Sequence, residues 1–514
     1  RSPHPSSSET RIISMQCVLL SMPLRYRLRT LLLLAAVLSM VFFLPQPSVA
    51  DEGIQGDQPS IEPPNVILIF IDDLGYGDVG FNGATGPRTP HLDKMAKEGM
   101  LFTDFYVGCP VCSGSRTALL TGTHYQRLNM DAVLFPNSQR GLHPNEVTIA
   151  EMLRAIGYHT TCIGKWHLGH LPPCLPTMQG FDSYYGIPYS NDMWIDPANK
   201  LSEKIVLREG ITLEQLQKGH KHMNWVPLMR DEEIIEYPAD QTTLTKRYTE
   251  EAMRFIEAEK EGPFFLYLPH TMVHLPLAVS STFAGRTERL IWDAIEEVDW
   301  SVGQILQAVQ RAGIEERTLI IFTSDNGAAV GSSLPLRSRK GSVYDGGIRE
   351  PTVMQWKGKI PAGRICREVT ASVDLLPTLA FLSGAELPSQ PIDGYNIWPL
   401  MEGQPDAKSP HETYCLLHGP GTVRSGKWKY YPWQEGKHHE DRPRKVKNLS
   451  NHPVQLYDTV ADIGETTNLA PQYPEIVKRL QIAFENHQAD LKANQRPAAN
   501  LERPPGSLSS DRPR

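Results

Sequence analysis

Asn65–Ile71 (Asn-Val-Ile-Leu-Ile-Phe-Ile) is a continuous apolar run that stops abruptly at Asp72-Asp73. An apolar run of this length without polar alternation is the pattern of a strand buried on both faces of a parallel sheet. The pattern returns at Thr160–Ile163, Phe264–Leu268 and Thr318–Thr323. Helical stretches precede these three strands at Thr148–Ile156, Thr242–Glu259 and Trp292–Ala312, and another is predicted over Thr89–Gly99. This alternation predicts an α/β fold: a large mixed, mostly parallel sheet sandwiched by helices. Each strand runs into a polar cluster, namely Asp72-Asp73, Gly164-Lys165-Trp166-His167, Pro269-His270 through His274, and Ser324-Asp325-Asn326-Gly327. One such cluster alone reads as a solvated loop. Four, each at the carboxyl end of a strand, point to a single site.

Residues 107–124 carry the most distinctive stretch, Val-Gly-Cys-Pro-Val-Cys-Ser-Gly-Ser-Arg-Thr-Ala-Leu-Leu-Thr-Gly-Thr-His. Ser113–Thr121 reads as a helix with Gly122 at its C-cap. Cys112 then lies at a helix N-terminus that favours an anion, with Arg116 one turn on. Three readings are open locally: a Cys109-Pro-Val-Cys112 redox pair, an activated nucleophile facing an anionic substrate, or a buried small residue.

After about residue 400 the texture changes. Thr422–Tyr431 alternates like antiparallel strands around a turn, Leu456-Tyr457-Asp458 is another short strand, and Pro474–Asn494 is a helix. The domain reading is therefore a signal peptide region over 1–50, a Pro-rich linker over 51–64, a catalytic domain over 65–400, a smaller C-terminal α+β subdomain with an antiparallel sheet over 401–495, and a flexible tail over 496–514. No internal repeat is evident.

The signal assignment rests on Arg25, Arg27 and Arg29 ahead of the apolar run Leu31–Leu44, then Pro45, Pro47 and the small residues Ser48-Val49-Ala50. The run is too short for a stable membrane span, so the expected destination is the periplasm or the extracellular space. Removing residues 1–50 takes away five Arg and one Glu, moving the formal charge from −7 to −11. Such acidity argues against nucleic-acid binding and means that an anionic ligand needs a local basic pocket. Six cysteines remain, at 109, 112, 162, 174, 366 and 415, too scattered for a dense disulfide framework.

Asp72, Asp73, Asp325 and Asn326 offer only oxygen ligands, a set suited to Ca²⁺, with Mg²⁺ possible, rather than Zn²⁺. Adjacent aspartates reach one ion only from a strand end or turn, where these two lie. Arg116, Lys165, His167, His274 and Lys340 supply positive or proton-bearing groups. Singly each is an ordinary surface or loop residue; together with a dication they make an electropositive pocket fit for a tetrahedral oxyanion ester.

These residues stand in motifs that resemble the type I sulfatases of the arylsulfatase family, within the alkaline phosphatase-like superfamily. The resemblance covers roughly residues 63–470. Asp72 through Asp78 resembles the first metal motif, and Cys112-Ser113-Gly114-Ser115-Arg116 with Leu119–Gly122 resembles the signature. Gly157–His167 matches the second signature. Gly186–Asp192 looks like the arylsulfatase A and galactosamine-6-sulfatase branch. Val273–Leu277, Asp325-Asn326-Gly327, Lys340-Gly341 and Leu456–Leu469 resemble the remaining motifs and the C-terminal subdomain. Gly114 departs from the pattern, which usually carries Pro or Ala there.

The resemblance implies hydrolysis of aryl or carbohydrate sulfates. Cys112 would be oxidised to Cα-formylglycine by a formylglycine-generating or radical maturating enzyme, and hydrated to a diol. One diol oxygen would attack sulfur, and deprotonation of the other would expel sulfate. Asp72, Asp73, Asp325, Asn326 and residue 112 would hold Ca²⁺. Arg116 would orient residue 112, and His167 would assist the breakdown step. Lys165, Ser190, His274 and Lys340 would bind sulfate, with His274 or Lys340 protonating the leaving oxygen. His270 lies outside the matched motif and reads as a bystander. Residues 187–240 and the loops after 274 and 327 would shape the outer pocket, with Trp194 and Trp225 either stacking on sugars or forming ordinary surface. The competing readings are an inactive sulfoglycan-binding homologue with unconverted Cys112, and a phosphoester hydrolase, which would usually carry Ser or Thr and His-containing metal sites.

Overall fold

Asn65–Ile71 forms a strand over its whole expected length, with every residue buried. It lies inside an eleven-stranded mixed sheet. Thr318–Ser324 and Phe264–Pro269 flank it, both parallel to it. His159–Lys165 and then Ser183–Ile187 continue the parallel order beyond Phe264–Pro269. The four apolar strands thus stand side by side with their carboxyl ends level, Ile71 opposite Ser324 and Phe70 opposite Pro269. Antiparallel strands complete the sheet, Thr352–Gln355 and Met100–Phe102 towards one edge, Leu228–Arg230 and Glu233–Tyr237 towards the other. The computed structural model describes residues 62–219, 222–432 and 454–503. The expected signal region 1–50, the linker up to residue 61 and tail residues 504–514 lie outside the described residues.

The helices follow local chemistry. Pro90–Glu98 starts with Pro at its first position after Thr89, and the Gly99 N–H caps it by donating to Met95 O. Thr148 opens Ile149–Arg154 with a capping box, its hydroxyl accepting from Glu151 N while the Glu151 carboxylate accepts from Thr148 N. Leu244–Glu259 and Leu290–Arg311 are amphipathic. Their apolar stripes (Tyr248, Ala252, Ile256; Val298, Val302, Ile305) share one core with Ile67, Ile69 and Ile71. The first begins two residues later than its apolar pattern suggests, because Asp240 accepts from Thr242 N and winds Gln241–Thr243 into a 3₁₀ turn. Cys112–Thr121 is buried throughout, and the Arg116 guanidinium lies over the Phe70 ring, 5.5 Å from its centroid. Cys112 is therefore the first residue of the helix, with Val111 at the N-cap.

Tyr414–Leu416, Thr422–Ser425, Trp428–Tyr431 and Gln455–Asp458 form a separate four-stranded antiparallel sheet. The helix Pro474–Ala493 covers it, burying Leu480 and Phe484 against Val423, Tyr430 and Leu456. Buried ion pairs join this sheet to the rest, Arg424 to Asp104 at 3.0 Å and Lys429 to Asp345. Among the described residues no helix is long and apolar enough to cross a membrane.

Two expectations are corrected. The tail is not free along its whole length: Ala499–Asn500 pairs with Arg140–Gly141, Arg496 bonds Glu146 at 2.8 Å and Arg503 bonds Asp196 at 2.7 Å. Composition gave that stretch no apolar signal because its contacts are backbone pairs and ion pairs. Trp194 is core, only 2% exposed, and offers no face to a sugar.

Candidate active site

The carboxyl ends of the four central strands deliver the candidate residues to one place. Asp72 follows directly on Ile71. Asp73 then turns into the left-handed region, φ 62°, which an aspartate tolerates, and its N–H donates to Asp325 Oδ1 at 3.1 Å. That turn brings two successive carboxylates to the same side. In the His159–Lys165 strand, Gly164 has φ 132°, and a Cβ there would lie 1.9 Å from the Pro269 carbonyl oxygen. Only glycine permits this approach, and it sets the path of Lys165 and of His167, itself at φ 64°.

The side chains interlock. Lys165 Nζ donates to Asp72 Oδ2 at 2.6 Å and to Ser190 Oγ at 3.3 Å. Arg116 Nη2 donates to Asp325 Oδ2 at 2.9 Å and lies 3.6 Å from Asp72 Oδ2, while Nη1 donates to Lys165 O at 3.0 Å. Lys340 Nζ is 2.5 Å from Asp73 Oδ1 and 3.5 Å from Cys112 Sγ. Cys112 Sγ is 3.7 Å from Asp72 Oδ1. His274 Nε2 is 3.6 Å from Asp73 Oδ2, and its ring meets Ser190 Oγ at 3.4 Å. Asn326 Nδ2 donates to Asp73 Oδ1 at 2.7 Å. Every residue of the expected site except His167 therefore belongs to one connected cluster. His274 and Lys340 keep side chains 12% and 19% exposed, whereas Asp72, Asp73, Arg116 and Lys165 are sealed.

His167 sits behind Lys165. Its Nε2 donates to Leu134 O at 2.7 Å, which leaves Nδ1 as the basic nitrogen, buried and without a partner among the described residues. Burial, with Lys165 nearby, holds its pKa well below the usual histidine value, so the ring is neutral. Leu134 is itself fixed, its N–H donating to Ser113 Oγ at 3.0 Å. The carbonyl that orients His167 is a backbone group of a loop, which no side-chain pattern reveals. His270 is outside the cluster: its Nε2 meets Ser301 Oγ at 3.1 Å.

Burial raises both carboxyls of the Asp72–Asp325 pair. Lys165, His274, Arg116 and Lys340 outweigh it at Asp72, which is held far below the carboxylate range. Asp325 is instead pushed up to about 7 by burial and by the charge on Asp72, against the pull of Arg116 and Lys165. Burial also pushes the Cys112 thiol up to about 12, against the pull of Lys165 and Lys340. An unmodified Cys112 is thus a protonated thiol at neutral pH and a poor nucleophile. Cys109 and Cys112 are both free thiols, and the Cys109 sulfur packs against Gly114, so the redox-pair reading is set aside.

The donor set fits a hard cation. Asp73 Oδ2 and Asn326 Oδ1 are buried and lack hydrogen-bond partners among the described residues, a costly state that a cation relieves. Ligating atoms of Asp72, Asp73, Cys112 and His274 all lie within 4.8 Å of one another. The position of Asn191 was also missed: its Oδ1 lies 3.0 Å from His274 Nδ1. The one available signal was its place beside Ser190 in the Gly186–Asp192 motif.

Residues 64–385 match the family model described as Sulfatase. Human arylsulfatase A is 38% identical over 454 residues, covering 82% of this chain and 87% of that protein. Mouse N-acetylgalactosamine-6-sulfatase is 37% identical over 66% of each chain, and mouse steryl-sulfatase 32% identical over 91% of this chain and 88% of its own. Among solved structures, Ps i-CgsB in complex with k-i-k-neocarrahexaose has a TM-score of 0.71 at 27% identity, covering 86% of this chain and 95% of that chain. These likenesses give no support to a non-catalytic sulfate-binding protein. The chain belongs to the sulfatase family, and like the relatives it matches it is a sulfuric ester hydrolase.

Proposed function

We propose that this enzyme hydrolyses aryl or carbohydrate sulfate esters, with residue 112 converted from cysteine to Cα-formylglycine and a Ca²⁺ ion held by Asp72, Asp73, Asp325, Asn326 and residue 112. Mg²⁺ would suit the same oxygen donors less well, because it demands stricter octahedral geometry. The observation that carries the reading is the placement of Cys112, its sulfur 3.7 Å from Asp72 Oδ1 and 3.5 Å from Lys340 Nζ, beside the unpartnered Asp73 Oδ2. As formylglycine, residue 112 would supply a hydrated aldehyde as the oxygen nucleophile that replaces the alcohol on sulfur. A cation held by these residues would supply Lewis acidity.

The chain's own groups do the rest. Lys165, Ser190, His274 and Lys340 bind the sulfate oxygens. Arg116 offsets the buried carboxylates and fixes Asp325. His274 or Lys340, the two partly exposed groups, protonates the leaving oxygen as its bond to sulfur breaks. His167 Nδ1, neutral and unpartnered, accepts the proton removed when sulfate departs. The arylsulfatase relative supports aryl esters; the N-acetylgalactosamine-6-sulfatase and the neighbour solved with neocarrahexaose support carbohydrate esters. The signal-like N-terminus supports export to the periplasm or extracellular space, and the Cys112 motif implies a maturation partner. Sulfated glycans or small molecules are the proposed substrates, and the acidic mature chain supports no nucleic-acid partner.

The test is peptide mass spectrometry of residue 112 from a host with maturation machinery, followed by paired assays on 4-nitrophenyl sulfate and 4-nitrophenyl phosphate. Conversion of the thiol to the aldehyde lowers the peptide mass by about 18 Da and should accompany turnover of the sulfate. A plain thiol with no turnover, or a phosphate rate higher by orders of magnitude, would overturn the reading.

A further inference from the structure

Gln241 lies outside every motif described above, in the 3₁₀ turn before the helix Leu244–Glu259. Its Nε2 donates to two backbone carbonyls, Asn191 O and Asn224 O, both at 2.9 Å. A carbonyl oxygen only accepts, so the amide orientation of Gln241 is fixed and its Oε1 must be an acceptor. That oxygen takes the hydrogen bond of Asn191 Nδ2 at 3.1 Å. Asn191 Nδ2 also points at His274 O (3.4 Å) and Pro276 O (3.2 Å), again obligate acceptors. The Asn191 amide is therefore fixed too, and its Oδ1 is turned to His274 Nδ1 at 3.0 Å. Nδ1 also meets Leu275 O at 2.6 Å, another acceptor, while Ser190 Oγ lies 3.4 Å from both ring nitrogens. Nδ1 thus keeps its proton, and Nε2 is the nitrogen presented to the site, 3.6 Å from Asp73 Oδ2.

We infer that Gln241, acting through Asn191, is a positioning residue that holds the His274 ring with Nδ1–H on the Asn191 and Leu275 oxygens and Nε2 turned to the leaving oxygen of the sulfate ester; the second proton of the doubly protonated ring passes from Nε2 to that oxygen, leaving the neutral ring with its proton on Nδ1. The inference rests on the sulfate-ester reading above and narrows it, choosing His274 over Lys340 as the proton donor. Asn191 is buried and bonded on both faces of its amide, so it transmits the constraint without itself reaching substrate. Gln241 also ties down Asn224, so the same amide holds the 222–225 turn, where His222 stacks on Trp225 at 4.0 Å, next to the loop that carries Ser190. A conserved-geometry proton donor matters most when the departing oxygen is a strong base and least when it leaves readily as an anion.

The experiment compares the matured wild type with Gln241→Met, Asn191→Leu and Asn191→Asp on 4-nitrophenyl sulfate and phenyl sulfate, with sulfate affinity followed by calorimetry. Gln241→Met and Asn191→Leu should lose roughly threefold in kcat/KM on the nitrophenyl ester but roughly thirtyfold or more on the phenyl ester. Sulfate affinity should fall by much less than kcat/KM on the phenyl ester, by about threefold at most, since Lys165 and Lys340 keep their places and only the His274 side of the sulfate site is loosened. Asn191→Asp keeps an oxygen facing Nδ1 but sets its other oxygen against Gln241 Oε1, His274 O and Pro276 O, so it should recover only part of the phenyl sulfate activity lost in Asn191→Leu. Equal losses on both esters, or failure of Asn191→Asp to differ from Asn191→Leu, would overturn the inference. A wild type that turns over neither sulfate ester would sink the proposed function itself, a distinct outcome.

Discussion

Gly114 stands where the signature usually carries Pro or Ala, and its surroundings supply the reason. A Cβ on residue 114 would lie 2.6 Å from Cys109 Sγ, 2.9 Å from Cys109 Cβ and 3.0 Å from Tyr125 Cδ1. Overpacking of this kind costs about 1–3 kcal/mol. Gly114→Ala should therefore lower stability in urea by about that amount, and adding Cys109→Ala should return part of it by removing the nearest atom. The contact exists only in the folded chain. The fraction of residue 112 converted, read by peptide mass, should accordingly not fall in Gly114→Ala, and a fall would show that the segment is read after folding. Cys109 and Gly114 are thus one packing unit.

His270 gives a second prediction at this scale. Burial lowers its pKa to about 4, so the folded protein keeps the ring neutral while the unfolded chain takes up a proton near pH 6.5. The unfolded state binds more protons between those values, so this contribution to stability is present above pH 6.5 and is lost as pH falls towards 4. The full span corresponds to about 3 kcal/mol, of which about 2 kcal/mol is lost by pH 5. His270→Gln retains an amide to meet Ser301 Oγ but does not titrate. Its stability deficit relative to the wild type, measured by urea unfolding, should shrink by about 2 kcal/mol between pH 7 and pH 5. A constant deficit would mean that the ring is protonated in the fold.

At the scale of elements, the site is a product of strand ends. The four apolar runs were legible because a strand buried on both faces leaves no polar positions in the sequence, and the polar cluster after each marks where it emerges. The strands towards the far side of the sheet were not legible. Leu201–Leu207 is mostly solvent-facing, and Leu228–Arg230 is too short to show a period. Gln241 and the Leu134 carbonyl were invisible for a different reason: their partners are backbone atoms brought close only by the fold. What the strand ends assemble is a carboxylate cluster in which Asp325 is pushed up to about 7 by burial and by Asp72. A cation seated there would hold both groups ionised and would satisfy Asp73 Oδ2 and Asn326 Oδ1. After chelator treatment, adding CaCl₂ to about 100 times its dissociation constant should stabilise the protein by about 2.7 kcal/mol, seen as a rise in melting temperature. The rise should vanish in Asp73→Ala, and its persistence there would place the cation elsewhere.

Across the whole molecule, the last described residues act as a clasp. After the helix Pro474–Ala493 the chain runs back over the loops beneath the site. Arg496 bonds Glu146 at 2.8 Å and its N–H donates to Arg127 O, Ala499–Asn500 adds a strand to Arg140–Gly141, and Leu501 N donates to Gln139 O at 2.9 Å. Arg503 closes on Asp196, which also holds His170 at 2.7 Å and donates its N–H to Tyr189 Oη at 3.0 Å. The loop gripped first contains Leu134, the carbonyl partner of His167, and the loop gripped last follows Ser190. Two ion pairs with nearly buried carboxylates, each costing about 3–5 kcal/mol to break on one side, make this grip energetically significant. Deleting residues 495–514 should lower the melting temperature by on the order of 5 °C. It should also lower kcat/KM on 4-nitrophenyl sulfate, because His167 and Ser190 lose their outer support. A shorter deletion starting at residue 504 leaves every one of these contacts in place and should leave both quantities unchanged. If the longer deletion lowers stability without touching turnover, the clasp only holds the fold; if both fall together, the path from the C-terminus through the Leu134 and Tyr189 loops to the site is real.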